Sequence, residues 1–140
     1  MTNERPQTPA QAWQELLAGN LRFVADSREH PNQDVDRRAA LASAQVPFAA
    51  LFGCSDSRLS AEIIFDVGLG DLFVVRNAGQ VIAETILGSL EYAVEVLKVP
   101  LILVLGHDQC GAVRAAIDAT EGKLGARGQY IQHIVAAIQP

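Results

Sequence analysis

A chain of 140 residues, 49% apolar and 19% charged, is long enough for one packed domain and too apolar for disorder. Its net charge of -5, with no cluster of Lys or Arg, excludes a phosphate-neutralising surface and with it nucleic acid as a partner. No apolar run approaches the roughly 20 residues that span a membrane. The opening Met1 to Pro6 lacks the plan of a secretory signal, so the chain is expected in the cytoplasm, where two cysteines stay reduced.

Thr8-Pro9 reads as an N-cap followed by the first helical position. Trp13, Leu16, Leu17, Leu21 and Val24 then follow helical spacing and predict a helix near 9–26, its stripe covering either the domain's own sheet or a second subunit. His30-Pro31-Asn32 marks a turn within 29–34, and a short helix is expected over 35–44. Phe48 to Phe52 is a continuous apolar run, the pattern of a parallel strand buried on both faces, and Gly53 is expected to end it. A short helix over 60–66 and a turn over Gly68–Asp71 lead to a second strand, Leu72–Val75. Ile86, Leu87, Leu90, Ala93, Val94 and Leu97 recur at steps of three and four, which predicts an amphipathic helix over 83–97. Beyond Pro100, Leu101–Leu105 is the third strand, Gly111–Ala119 a helix ended by the glycine-rich 122–128 stretch, and Tyr130–Ile138 a last helix. Alternating strands and helices predict an α/β fold, a single domain over 1–140 with a mostly parallel sheet flanked by helices, and an N-terminal helix expected to pack on a neighbouring subunit.

Two of the strands run into similar loops. The first leads to Gly53-Cys54-Ser55-Asp56-Ser57-Arg58, the third to Gly106-His107-Asp108-Gln109-Cys110-Gly111. In open α/β sheets ligands sit beyond the carboxyl ends of the strands, so Cys54, Asp56, His107 and Cys110 can converge across the 53 positions between Cys54 and His107. Two thiolates and an imidazole suit zinc, and three protein ligands leave a fourth position for water, the pattern of a catalytic ion. Asp56 has two roles open to it. It can take the fourth position itself and close the site, or pair with the Arg58 guanidinium and orient a water. Taken singly, these residues have plainer readings: Cys54 as a small buried hydrophobe, His107 as a satisfied polar group, Arg58 as a surface cation. Redox pairing of Cys54 with Cys110 is the main rival to a metal. His30, Asp108 and His133 show no partner pattern.

The Cys54–Arg58 and Gly106–Gly111 motifs, with Gly68-Leu-Gly-Asp-Leu-Phe-Val-Val-Arg-Asn-Ala-Gly79 and Gly88-Ser-Leu-Glu-Tyr-Ala-Val94 between them, resemble the β-class carbonic anhydrases from about Trp13 to the end of the chain. The resemblance implies reversible hydration of carbon dioxide to bicarbonate and a proton by hydroxide held on one zinc per chain, with Cys54, His107 and Cys110 as ligands. Asp56 and Arg58, from their spacing after Cys54, are the catalytic candidates, Asp56 also serving as fourth ligand in a closed state. The resemblance places Gln45 as an amide donor to bicarbonate, commonly from the neighbouring subunit of a homodimer or dimer of dimers. Phe73, Tyr92 and Ala78 fall at positions lining an apolar pocket, and the Gly111 N–H at one facing substrate. From their residue types alone, Phe73 and Tyr92 read as core packing.

One subgroup of that family has a tryptophan three residues before the first cysteine, part of an inhibitory bicarbonate site. Leu51 stands there, and Arg76 alone cannot form that site, so no such regulation is expected. Family members also continue past the position of Pro140, and Gln80 stands where asparagine is frequent. Three other functions share the residues: hydrolysis of carbon disulfide or carbonyl sulfide, non-catalytic metal binding with Asp56 permanently ligating, and dithiol redox chemistry.

Overall fold

The computed structural model describes residues 5–123 and 128–139. The first four residues, the middle of the glycine-rich stretch and Pro140 lie outside them. Three parallel strands, β1 (Ala49–Cys54), β2 (Leu72–Asn77) and β3 (Ile102–Leu105), form one sheet in the order β2-β1-β3. Helices α1 (Pro9–Val24), α2 (Val35–Ala40), α3 (Ala61–Ile64), α4 (Glu84–Glu95), α5 (Gly111–Thr120) and α6 (Gln129–Ile138) surround it.

β1 is the central strand and every one of its residues is buried. Successive side chains alternate between faces. Ala49 and Leu51 meet Ala12 and Leu16 of α1, Ala61 of α3, and Phe65 and Val67 just beyond it. Ala50 and Phe52 turn the other way, toward Ile86 and Ala93 of α4 and toward Val75 and Val99. Gly53 does not end the strand as expected. It pairs with Arg76 and Leu105 in mid-ladder, and the strand runs on to Cys54 opposite Asn77. Its last residue is therefore a ligand candidate, held by the ladder rather than by a free loop.

Other boundaries differ for local reasons. α1 starts as predicted, Thr8 and Gln11 forming a reciprocal capping box. Its buried side is Ala12, Leu16 and Gly19, while Trp13, Leu21 and Val24 stay exposed. The small side packs because α1 lies almost in contact with the chain after α3: a Cβ on Gly19 would sit 1.7 Å from the Phe65 carbonyl oxygen. Of the predicted stripe, Leu16 meets the domain's own core, and the exposed members are left for the other expected cover, a second subunit. α2 is six residues long rather than ten, and α3 stops at Ile64, two residues short of the expected end, where Asp66 is left-handed (φ 44°). β3 is not buried on both faces: Leu103 and Leu105 pack inward, whereas Ile102 and Val104 are exposed, since no described element covers that part of the α4 side. Leu87, Tyr92 and Val94 of α4 are likewise exposed.

Asp66 is 1% exposed and anchors the edge of the domain. Its carboxylate accepts from Arg22 Nε at 2.6 Å and from the backbone N–H groups of Glu29 and His30 at 2.9 and 3.0 Å. One side chain thus ties α1, the following turn and the end of α3 together. Burial alone pushes its pKa up, but the Glu29 N–H, Arg22 and the His30 N–H outweigh burial and bring it down to about 2.

Candidate metal centre

β1 and β3 are neighbours running in the same direction, so their carboxyl ends lie side by side. Cys54 closes β1, and the 106–110 loop carries the chain from β3 to Cys110, the N-cap of α5. One ligand atom each from Cys54, His107 and Cys110 lies within 4.8 Å of the others, and the two sulfurs are 4.0 Å apart. Two thiolates on one tetrahedral zinc, each about 2.3 Å from it, stand about 3.8 Å apart. The measured separation therefore matches a shared ion, and both cysteines are free thiols.

His107 supports the same fit. Its Nδ1 lies 2.8 Å from the Asp108 carbonyl oxygen, which can only accept, so Nδ1 carries the hydrogen, and in the neutral ring Nε2 presents a lone pair. Among the described residues, that buried Nε2 has no hydrogen-bond partner. A buried nitrogen aimed at two sulfurs, its ring oriented by a backbone carbonyl, is the arrangement of a metal-ligating histidine. Burial pushes the Cys54 thiol up, but the Gly79 N–H, donating to Sγ at 3.3 Å, the nearby imidazole and further hydrogen bonds bring it down to about 7. The His107 pKa is raised, chiefly by Cys54. The pocket favours thiolate, the form a metal binds.

Asp56 does not join this cluster. Arg58 holds its carboxylate in a two-pronged pair, Nε to Oδ1 at 2.8 Å and Nη2 to Oδ2 at 2.7 Å, and the Arg58 backbone N–H adds a third bond at 3.0 Å. The Arg58 side chain, then its N–H, hold the Asp56 carboxyl well below the usual carboxylate range. Of the two roles left open for Asp56, this geometry is the paired one. Arg58 also donates to the Gln109 carbonyl at 3.2 Å, tying the β1 tip to the His107–Cys110 loop.

The tip of β2 contributes residues for which sequence reasoning found no role at the cluster. Arg76 donates from Nε to the Cys54 carbonyl at 2.8 Å and from Nη2 to the Asp56 carbonyl at 2.6 Å. Asn77 exchanges two 2.7 Å hydrogen bonds with the Val81 backbone, closing the turn (Ala78–Gln80) that aims the Gly79 N–H at sulfur. Gly79 has φ 76°, and a Cβ there would meet Ala112 Cβ and Ile138 Cδ1 at 2.8 Å, so only glycine fits. The link of these residues to Cys54 runs through the register pairing Gly53 with Arg76, which no single-strand pattern reveals.

Ala78 and Gly111 lie near the cluster, one beside Gly79 and the other just after Cys110; both are exposed. A cavity of 320 Å³ opens beside Gly111, lined by Gln109, Cys110, Gly111, Val113, Arg114 and Ile117. A larger one, 390 Å³, lies at the far end of the sheet around Arg37, Phe48 and Asp71 and contains none of the ligand candidates. Three other expected pocket residues are not brought to the cluster within one chain. Gln45 precedes β1, and the six residues of that strand put about 17 Å between its two ends. Phe73 pairs with Ala50, four positions and so about 13 Å before Cys54, and packs toward Leu90. Tyr92 stays with it, the two ring centroids 6.0 Å apart. Strand direction is the reason: all three sit toward the amino ends.

Comparison with known proteins gives consistent matches. The family model described as "Carbonic anhydrase" matches residues 49–140. Carbonic anhydrase 2 of Mycobacterium tuberculosis is 58% identical over 133 residues, covering 94% of this chain and 63% of that protein. The carbonic anhydrase of Mycolicibacterium smegmatis is 56% identical over 133 residues, covering 94% and 64%. This chain therefore spans less than two thirds of the length of these relatives. Among solved structures, a β-carbonic anhydrase of Aspergillus fumigatus superposes with a TM-score of 0.63 at 31% identity, covering 89% of this chain and 57% of that one. The Coccomyxa β-carbonic anhydrase, in complex with acetazolamide, gives a TM-score of 0.63 at 28% identity, covering 86% and 53%.

Proposed function

Because this chain belongs to the carbonic anhydrase family, in its β class, we propose that it catalyses the reversible hydration of carbon dioxide to bicarbonate and a proton, using one zinc ion per chain held by Cys54, His107 and Cys110. The observation that carries the proposal is the buried His107 Nε2, unpartnered among the described residues, facing two free thiols across a gap of metal-binding size. Bound zinc supplies a Lewis acid that lowers the pKa of water to about 7, a value known from carbonic anhydrases with three histidine ligands.

The chain's own groups do the rest. Asp56, kept ionised and fixed by the Arg58 fork, offers an acceptor that orients the proton of the attacking water. The Gly111 N–H, at the start of α5, offers a donor to the oxygens of bicarbonate. Carbon dioxide is uncharged and poor at hydrogen bonding, so small apolar walls such as Ala78 admit it. Gln45, Phe73 and Tyr92 serve the site from a second copy of the chain, in a homodimer or a dimer of dimers. Their distance from Cys54 within one chain supports that reading, as do the exposed apolar residues of α4. Two free thiols support a cytoplasmic location, and no described helix is long and apolar enough to cross a membrane.

Stopped-flow carbon dioxide hydration against pH, with metal analysis on the same sample, tests the function. The expected result is one zinc per chain and hydration that a chelator abolishes and zinc restores. Zinc near one per chain without hydration at alkaline pH would establish a metal-binding module instead. Competition by carbon disulfide or carbonyl sulfide in the same assay separates the related hydrolyses.

A further inference from the structure

We infer that Arg76 is a positioning residue of this centre: its guanidinium fixes the backbone of Cys54 and Asp56, and so fixes where the Cys54 sulfur and the Asp56 carboxylate stand relative to a common ion. The inference rests on the metal reading above and deepens it. Past Cys54 the β1 ladder runs out, and the Ser55 N–H to the Asn77 carbonyl, at 2.8 Å, is its last rung toward β2. The carbonyls of Cys54 and Asp56 lie beyond the reach of strand pairing. Arg76 takes both, at 2.8 and 2.6 Å, from the strand position opposite Gly53.

Two features set this arginine apart from an ordinary surface cation. It is half-buried and, among the described residues, pairs with no carboxylate; its fork is spent on two backbone oxygens of the segment that bears the first ligand. Asp56 is also held twice, its carboxylate by Arg58 and its carbonyl by Arg76. With its backbone pinned, Asp56 cannot swing as a unit when its side chain changes partner. Lysine keeps the charge but is a point donor and cannot span two carbonyls in the way a planar fork does.

The test compares the whole chain with Arg76→Gln and Arg76→Lys. Zinc affinity is measured by chelator competition, and the cobalt-substituted forms are compared by their visible ligand-field spectra. The expected result for Arg76→Gln is a 10- to 100-fold loss of zinc affinity, the usual effect of removing an outer support of a metal site, together with a shifted cobalt spectrum. Arg76→Lys should recover only part of the loss; full recovery would show that charge alone matters and would overturn the inference. In the metal-free chains, iodoacetamide labelling mapped by mass spectrometry should speed up several-fold at Cys54 and stay unchanged at Cys110. A variant that loses only thermal stability, with zinc affinity, cobalt spectrum and Cys54 labelling all as in the parent, would show a merely structural arginine. Should the parent chain bind no metal, the metal reading fails, and the labelling rates alone decide whether Arg76 positions Cys54. Should Arg76→Gln not fold, Arg76→Lys carries the same measurements.

Discussion

Cys54→Ser should lower zinc content from one per chain to almost none after dialysis and reduce carbon dioxide hydration to near background. A serine hydroxyl is hard and stays protonated at neutral pH, whereas the ion favours a thiolate. Removing the sulfur leaves Cys110 and His107, too few to hold zinc firmly. The Lewis-acid contribution thereby lost is worth several kcal/mol, on the order of a thousandfold or more in rate. The substitution is nearly isosteric at a buried position, so the circular dichroism of the chain should be unchanged. Metal analysis and stopped-flow on one sample check both halves; a full complement of zinc in the variant would mean that the ion is held elsewhere.

Asp66→Ala should destabilise the fold by about 3–5 kcal/mol, the cost of breaking a buried hydrogen-bonded ion pair from one side. That is a large share of the roughly 5–15 kcal/mol of a typical domain. Arg22 would lose its partner, and the Glu29 and His30 N–H groups their acceptor. The pH dependence follows from the same contacts. The folded-state pKa of about 2 lies below the unfolded value near 3.9, so the stabilisation is complete above that unfolded value and is lost as pH falls from about 4 toward 2. Urea midpoints measured at pH 7 and pH 3 should therefore differ less in Asp66→Ala than in the parent chain. An equal acid shift in both would place the sensitivity in other groups.

The order of elements and the convergence at the metal centre were legible in sequence for a common reason: both depend on patterns a single chain carries. The buried run of β1, the capping box at Thr8 and the paired strand-end motifs are local signals, and the parallel sheet follows from them. What escaped depends on which residues end up opposite one another. The packing of Ala12 and Gly19 in α1 escaped because they pack by being small, a property hydrophobic periodicity discounts. Arg76 and Gly79 act on Cys54 through register and a left-handed turn. Asp66 reads in sequence as one acidic residue at the end of a short helix, yet its partners come from α1 and a turn more than 35 positions away. Gln45, Phe73 and Tyr92 are the reverse case: the resemblance supplied them, and strand direction keeps them from the cluster within one chain.

The separation of Gln45 and Cys54 at opposite ends of β1 has a genetic consequence. If each site borrows its amide from a sister chain, a lesion at Gln45 and a lesion at Cys54 damage different halves of a shared catalyst. Co-expressed, the two defective alleles would rescue one another, because a mixed pair retains one intact combination of ligands and amide.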